Sequence, residues 1–122
     1  RERLLSEVRK TKKIEAIIRS ETLDSVKCGL EKLGMNAMTI TDVLGRGEQK
    51  GLEFTHRAGK YRVDLLPKVK VEIVVRDEDV RKVIAVIIEK ARTGEIGDGK
   101  IFVSPVEEVI RIRTGESSNG KA

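Results

Sequence analysis

The chain has few aromatic side chains and a single cysteine. Phe, Tyr and Trp make up 2% of its 122 residues and Trp is absent, so the hydrophobic core must consist mainly of Ile, Val and Leu. One cysteine, Cys28, excludes an internal disulfide and a zinc site built from several thiolates. We expect Cys28 to fill a small core position in a single domain with one core.

Long hydrophobic runs are also missing. No apolar stretch approaches the ~20 residues that a membrane-spanning helix needs. The first residues do not follow the basic, apolar and small-residue order of a secretory signal. Together these two absences predict a cytoplasmic protein.

Positive charge is concentrated at one end of the chain. The net charge is +5, and residues 1–19 carry four of those five charges, so the remainder is close to neutral. Proteins that bind single-stranded nucleic acid combine basic grooves with stacking aromatic side chains. The candidates for stacking are Phe54, Tyr61, Phe102 and the one histidine, His56. A metabolite ligand is therefore favoured over nucleic acid.

The hydrophobic pattern predicts the order β-α-β-β-α-β. Residues 12–19 are β-branched and apolar enough for a central strand, and residues 37–44 suit a second. From Val63 to Val75 apolar side chains take every second position, which is typical of a strand, with Pro67 at an edge or a bulge. The last extended segment, residues 100–113, is expected to break near Ser104 and Pro105.

Two amphipathic helices fill the gaps between these strands. The first is predicted to begin at Thr22 as its N-cap and to end at Gly34. The second has Asp77 as its N-cap and Gly94 as its stop signal. Its predicted buried stripe consists of Val80, Val83, Ile84, Ile87, Ile88 and Ala91. The expected fold is an α+β ferredoxin-like plait, an antiparallel sheet with both helices on one face.

Three segments fall outside this regular pattern. Residues 1–11 are assigned to a basic N-terminal extension, and residues 117–122 to a disordered polar tail. The domain is expected to span residues 12–116. Within it, residues 45–61 form the longest irregular segment, rich in glycine and charge. The extension is either a native linker to another domain or an artificial remnant.

The motif TGEIGDGKI, residues 93–101, contains the spacing GxxxxGK of a phosphate-binding loop. Ile101 stands where that motif has Ser or Thr, and the order here is helix, loop, strand, so a Walker-type NTPase is not expected. Glycines still let backbone N–H groups approach phosphate oxygens, and Lys100 adds a positive charge. A plain glycine-rich turn with a solvated lysine explains the local sequence equally well.

Two further features are ambiguous when each is taken alone. The stretch GRGEQKG, residues 45–51, follows a predicted strand, but glycines and charges describe any exposed loop. Near the C-terminus Arg111 and Arg113 alternate with isoleucines, which places both guanidiniums on one side of a strand. Such a pair suits phosphate recognition, although a solvated strand face is the commoner outcome.

Taken together, these segments resemble the nitrogen-regulatory PII signalling proteins. KKIEAII, MTITDV, GRGEQKG, YRVDLLPKVKVEIVV, TGEIGDGKIFV and VIRIRTGE occur in the family's order and spacing from residue 12 to residue 116. The resemblance implies a homotrimer that binds ATP or ADP in the clefts between subunits. The matching positions are Ile17, Thr39, Gly45, Gly47, Gln49, Val74, Gly97, Asp98, Gly99, Lys100, Arg111 and Arg113.

The resemblance also implies a second effector. With ATP and Mg²⁺ bound, similar proteins take up 2-oxoglutarate beside the phosphates, where a divalent cation offsets the repulsion between the anions. Gln49 matches the residue that chelates the metal, and Lys68 matches the one that binds a ligand carboxylate. The neighbouring positions Lys50 and Gly51 complete the implied 2-oxoglutarate site.

Residues 45–61 correspond to the family's T-loop, the segment that contacts target proteins. Where the target is an ammonium transporter, either fused to the PII domain or a separate protein, an arginine near the loop tip acts as the plug, and Arg57 matches it. Tyr61 matches a tyrosine that is uridylylated in some members, although HRAGKY departs from the usual surroundings. The implied function is regulatory binding without catalysis, in the cytoplasm and, through the transporter, at the cytoplasmic face of the membrane.

Two other classes of protein remain as alternatives. A ferredoxin-like nucleic-acid-binding module has the same topology but needs aromatic strand motifs that this chain lacks. A phosphotransferase or NTPase could be built on the GDGK turn, yet no catalytic base is evident in the sequence. Affinity for nucleotide without steady turnover separates the regulatory protein from both.

Overall fold

The computed structural model describes residues 10–46, 52–56, 59–63 and 65–118, with residues 52–56 and 59–63 described by their backbone alone. The strands are β1 (Thr11–Ile18), β2 (Thr39–Gly45), β3 (Leu52–His56), β4 (Gly59–Val63), β5 (Leu66–Arg76) and β6 (Lys100–Pro105). The helices are α1 (Leu23–Lys32) and α2 (Val80–Ala91), each preceded by a short 3₁₀ turn (Ser20–Thr22 and Asp77–Asp79).

Four of the described strands form one antiparallel sheet in the order β2-β5-β1-β6. The register is set at the centre, where Ile14 of β1 lies between Ile73 of β5 and Val103 of β6. The arrangement confirms the predicted ferredoxin-like plait. Pro67 pairs with Leu44 of β2, whereas the pairing of β5 with β1 starts only at Val69. The missing N–H of Pro67 therefore interrupts no hydrogen bonding between β5 and β1.

The core lies between the helices and one face of the sheet. Alternate residues of β1 and β5 point into it because successive side chains of a strand face opposite sides. The helices close it with residues spaced three and four apart. The buried residues are Ile14, Ala16, Ile18, Val26, Leu30, Val69, Val71, Ile73, Val75, Val80, Val83, Ile87 and Ala91. They are all aliphatic, as the scarcity of aromatic residues requires.

The helix ends differ in part from the prediction. Gly34 ends α1 as predicted, with φ +83°, and its N–H and that of Met35 bond to the carbonyls of Glu31 and Leu30 in a Schellman motif. Thr22 and Asp77 do not cap helices with their side chains, because a 3₁₀ turn provides the first hydrogen bonds of each helix.

Gly94 was predicted to stop the second helix, but α2 already ends at Ala91. Arg92 is extended, and Gly94 lies in the following loop with φ +87°. The helix therefore ends because the backbone becomes extended at Arg92, and Gly94 shapes only the loop that follows.

Three other expectations are wrong. Cys28 is exposed, because it lies on the side of α1 opposite Val26 and Leu30. Ile88 lies one position beside the buried stripe of α2 and is 38% exposed. The segment predicted to be irregular contains β3 and β4, which form a two-stranded sheet within the described residues. Their apolar alternation covers only residues 52–54 and 61–63, which is too short to stand out in the sequence.

The C-terminal segment is extended for a shorter distance than predicted. The strand β6 stops at Pro105, which confirms the predicted break. Beyond it the chain turns back on itself, with an isolated bridge between Ile110 and Ser117. In the described part of the chain no helix is long and apolar enough to cross a membrane.

Candidate functional site

A cleft of about 470 Å³ lies where β1, β2 and β6 approach the loop that follows α2. Ile17, near the end of the interior strand β1, and the glycine turn at residues 97–99 both line it. The residues lining it are Ile17, Gly45, Arg46, Lys68, Glu95, Gly97, Asp98, Gly99, Lys100 and Phe102. These residues come from four separate segments of the chain, so the cleft exists only in the folded domain.

The turn owes its shape to two glycines in the left-handed region of backbone conformation. Gly97 has φ +100° and Gly99 has φ +103°, values that other residues adopt only with strain. A Cβ added at Gly99 would lie 1.7 Å from the carbonyl oxygen of Ile17, which no side chain can occupy. The backbone of the turn is therefore packed directly on the end of β1.

Asp98 holds this loop together from within. Its carboxylate accepts hydrogen bonds from the backbone N–H of Thr93 (2.8 Å) and of Gly94 (2.9 Å), and from the Thr93 hydroxyl. The Thr93 hydroxyl and the Arg19 guanidinium beside it hold the pKa of this carboxyl far below its usual range. Asp98 is thus ionised throughout the neutral range and ties both ends of the loop together.

Two cations from different segments of the chain donate hydrogen bonds to the loop. Arg19, the first residue after β1, donates from Nε to Asp98 Oδ1 at 3.0 Å and from Nη2 to the Ile96 carbonyl at 2.7 Å. Lys68 of β5 donates from Nζ to the Gly97 carbonyl. Carbonyl oxygens of the turn are thereby directed toward these cations.

The electrostatics of the cleft favour an anion. Lys68, Lys100 and Arg46 line it on the positive side, against Glu95 and Asp98. The negative charge of Asp98 is paired with Arg19, which leaves the cations in excess. A turn with two glycines beside an excess of cations suits phosphate or carboxylate oxygens. The residues present therefore fit the phosphates of a nucleotide.

A second groove, of about 490 Å³, lies on the helix side of the same turn. Its walls are mainly aliphatic, with Ile84 and Ile88 of α2 facing Ile101 and Val103 of β6. It shares Ile17, Asp98, Gly99 and Lys100 with the cleft, and Arg81 and Arg92 also line it. Its apolar floor suits an anion less well than the cleft, where most of the lining is glycine and charged side chains.

The structure brings together part of the predicted site. The residues that line the cleft as expected are Ile17, Gly45, Lys68, Gly97, Asp98, Gly99 and Lys100. Thr39 and Val74 lie elsewhere, on β2 and β5, and neither lines the cleft. Arg111 and Arg113 are exposed in the C-terminal turn, also away from it.

The remaining predicted residues are not described. Gly47, Gln49, Lys50, Gly51 and Arg57 lie outside the described part of the chain, and of Tyr61 only the backbone, in β4, is described. Within the residues that are described, no group of three His, Cys, Asp or Glu side chains could hold a metal ion. The predicted chelation of Mg²⁺ by Gln49 therefore stays a prediction.

Sequence reasoning missed Arg19, Thr93, Arg46 and Phe102. Thr93 is the first residue of the glycine-rich motif and Arg46 lies inside GRGEQKG, so both were within segments already singled out. Phe102 was considered only as an aromatic residue for stacking. Nothing local marks Arg19, because its partner Asp98 is 79 positions away.

Comparison with known proteins identifies relatives along nearly the whole chain. The sequence model of the family described as Nitrogen regulatory protein P-II matches residues 11–116. Nitrogen regulatory protein P-II 2 of Methanothermobacter thermautotrophicus is 58% identical over 106 residues, which cover 87% of this chain and 92% of that protein. A P-II protein of Rhizobium meliloti is 57% identical over 106 residues, with coverages of 87% and 95%.

A solved structure agrees with these sequences. The crystal structure of Arabidopsis thaliana PII bound to citrate superposes with a TM-score of 0.71 at 45% sequence identity. The match covers 88% of this chain and 85% of that one. The similarity therefore extends to sequence and fold together.

Proposed function

We propose a function from one established premise: this chain belongs to the P-II family of nitrogen regulatory proteins. Members of the family are regulatory signal transducers, so membership favours a regulatory role over a nucleic-acid-binding module or a phosphotransferase. The chain is proposed to sense ATP and ADP, and 2-oxoglutarate together with Mg²⁺, and to report them through the T-loop.

The observation that supports nucleotide sensing is the cleft beside the glycine turn. The turn at residues 97–99 offers backbone without side chains at its two glycines, and Lys100 and Lys68 flank it. The phosphates are proposed to lie against this turn, where the excess of cations offsets their charge. The Arabidopsis relative binds citrate, another anion with several negative charges, which supports an anion site in this fold.

The site is also well placed to control the T-loop. The strand β2 ends at Gly45, and both Gly45 and Arg46 line the cleft directly before the predicted loop. A Cβ at Gly45 would lie 3.3 Å from Cγ of Lys68, so this stretch of backbone packs closely against β5. A ligand that contacts it would favour one loop conformation by its differential affinity.

Lys68 is proposed to bind a carboxylate of 2-oxoglutarate. Its ammonium bonds to the Gly97 carbonyl in this structure, at the wall of the cleft, so a carboxylate would need only to replace one acceptor. Gln49 and the neighbouring Lys50 and Gly51 are proposed to complete that site with Mg²⁺. The metal, when bound, would reduce the repulsion between the two anions.

A homotrimer is proposed because the predicted site is incomplete in one chain. Thr39, Val74, Arg111 and Arg113 lie away from the cleft, as expected if a neighbouring subunit contributes them.

The proposed target is an ammonium transporter, contacted in the cytoplasm at the membrane face by Arg57. Uridylylation of Tyr61 is a further proposal of the same family resemblance.

Calorimetric titration with ATP and with ADP tests the nucleotide site. Lys100→Ala should weaken binding about 10- to 100-fold, since hydrogen bonds to charged groups contribute about 1.5–3 kcal/mol. Arg113→Ala should also weaken it if subunits share the site. The control is Lys32→Ala, which removes an exposed lysine of α1 distant from the cleft. Equal affinities in all variants would refute the proposed site.

The second effector needs its own titration. Binding of 2-oxoglutarate should require ATP and Mg²⁺ and should be lost in Lys68→Ala, because the carboxylate then has no ammonium partner. Nucleotide binding alone should fall less in that variant than in Lys100→Ala. If 2-oxoglutarate bound Lys68→Ala as well as the unaltered chain, the role assigned to Lys68 would be wrong.

A further inference from the structure

We propose that Arg19 is a positioning residue. Its guanidinium holds the loop at residues 93–99, which includes the glycine turn, in the shape that accepts phosphates before any ligand binds. The proposal rests on the proposed function and adds to it the residue that preorganises the site. Arg19 does not line the cleft. It acts through Asp98 and Ile96, to which its guanidinium donates hydrogen bonds of 3.0 Å and 2.7 Å.

The guanidinium makes hydrogen bonds to two parts of the loop at residues 93–99. Its Nε bonds to Asp98 Oδ1, and Asp98 in turn accepts the N–H groups of Thr93 and Gly94 at the start of the loop. Its Nη2 bonds to the Ile96 carbonyl in the middle of the loop. One side chain therefore fixes the loop at both its start and its centre.

The turn also lies beside this guanidinium. A Cβ added at Gly97 would be in ordinary contact with Nη2 of Arg19, at 3.4 Å, and with Nζ of Lys68, at 3.6 Å. Ile17, two positions before Arg19 in the sequence, contacts the backbone of Gly99. The end of β1 is thus close to both glycines of the turn, with a tight backbone contact at Gly99 and the Arg19 guanidinium near Gly97.

The charge of Arg19 is already committed. Its side chain and that of Asp98 are 23% and 25% exposed, and the two form an ion pair at 3.0 Å. Because the carboxylate partly neutralises it, a cation paired in this way attracts a phosphate less strongly than it would alone. Arg19 instead keeps the loop at residues 93–99 ordered. A site already held in its binding shape loses less conformational freedom when the ligand binds, and its affinity is therefore higher.

Removal of the guanidinium should therefore affect the turn first and the ligand second. In Arg19→Gln the Asp98 carboxylate loses its cation, and the Ile96 carbonyl loses its donor. The amides of Thr93 and Gly94 should then exchange with solvent faster in the nucleotide-free protein, because Asp98 no longer holds them firmly. Nucleotide affinity should fall roughly tenfold, as expected when binding must also order a loop.

The experiment combines hydrogen exchange of the nucleotide-free full chain with calorimetric titration by ATP. Arg19→Gln is compared with Arg19→Lys, which keeps the charge and one donor, and with Arg76→Gln, an exposed arginine paired with Glu78 away from the cleft. We expect faster exchange confined to residues 93–99 and weaker binding in Arg19→Gln, intermediate values in Arg19→Lys, and no change in Arg76→Gln.

Two results would overturn the proposal. Weaker binding with unchanged exchange would mean that Arg19 contacts the ligand directly. Faster exchange with unchanged affinity would mean that the site does not need the turn to be held. If Arg19→Gln fails to fold, Thr93→Val tests the same link between loop order and affinity. It removes the hydroxyl group that donates a hydrogen bond to Asp98 and leaves Arg19 in place.

The outcome also separates this proposal from the proposed function. If the unaltered chain bound neither ATP nor ADP, the proposed function would fail, and Arg19 would have no site to position. If the unaltered chain bound nucleotide but Arg19→Gln behaved like Arg76→Gln in both measurements, the nucleotide site would stand and only the role of Arg19 would be refuted.

Discussion

The two faces of β1 carry different kinds of information. On one face Ile14, Ala16 and Ile18 are buried under the helices, and any aliphatic side chains of similar volume would serve. At the end of the strand Ile17 and Arg19 contact particular atoms of a loop about 80 positions away in sequence. The core depends on pattern and volume, whereas the cleft depends on individual contacts.

The difference predicts that a single methyl group at the turn is worse than a cavity in the core. Gly99→Ala places its Cβ on the Ile17 carbonyl and demands a strained φ, so β1 and β6 must move apart. We expect a loss of unfolding free energy above about 4 kcal/mol, in the range of severe substitutions. Urea denaturation measures it.

The matched control for that substitution is Gly115→Ala. Gly115 also has a positive φ, +73°, but a Cβ there meets nothing within 4 Å. It should cost only the backbone strain, about 1–2 kcal/mol. Equal losses at the two glycines would show that the packing of the turn on β1 contributes nothing.

A core substitution should show the opposite selectivity. Ile87 is 1% exposed, and Ile87→Ala should lower the unfolding free energy by about 2–5 kcal/mol through the cavity it leaves. Nucleotide affinity should hardly change in the folded fraction, because Ile87 does not line the cleft. The neighbouring Ile88→Ala, at a half-exposed position, should cost clearly less. A strong effect of Ile87→Ala on affinity would contradict the division between core and cleft.

The smallest expected effect concerns acid. Because the pKa of Asp98 is lowered in the folded chain, its stabilising contribution is complete above the unfolded pKa of about 3.9 and declines as the pH falls below it. The difference in stability between the unaltered chain and Asp98→Asn should therefore be largest near neutrality and shrink in acid. Asp24→Asn, exposed on α1, provides the control. A difference that is independent of pH would argue against the ionised carboxylate.

The fold could be predicted largely from local pattern. The alternation from Val69 to Val75 and the spacing of Val80, Val83 and Ile87 each indicate one element and its buried face. Errors arose where the pattern was weak. β3 and β4 carry only a short apolar alternation each, Leu52 with Phe54 and Tyr61 with Val63. Ile88 lies beside a correctly predicted stripe, and Cys28 lies on the opposite side of α1 from Val26 and Leu30.

The candidate site could be predicted only in part. Glycines and the adjacent lysine are visible in TGEIGDGKI, because unusual backbone conformations need glycine wherever they occur. The role of Asp98 in holding its own loop was not visible, since a carboxylate in a motif for phosphate looks like a ligand contact. Its partners Thr93 and Gly94 are local, but Arg19 reaches it only through the sheet.

The order of residues alone therefore fixes which segments become strands and helices and which faces they bury, since these depend on side-chain periodicity over a few neighbouring positions. Folding adds the meeting of Arg19, Lys68 and the turn at residues 97–99, which come from three distant segments. Their hydrogen bonds require positions within about 3 Å. Such positions are set by the register of β1 against β5 and β6, and no local pattern encodes that register in full.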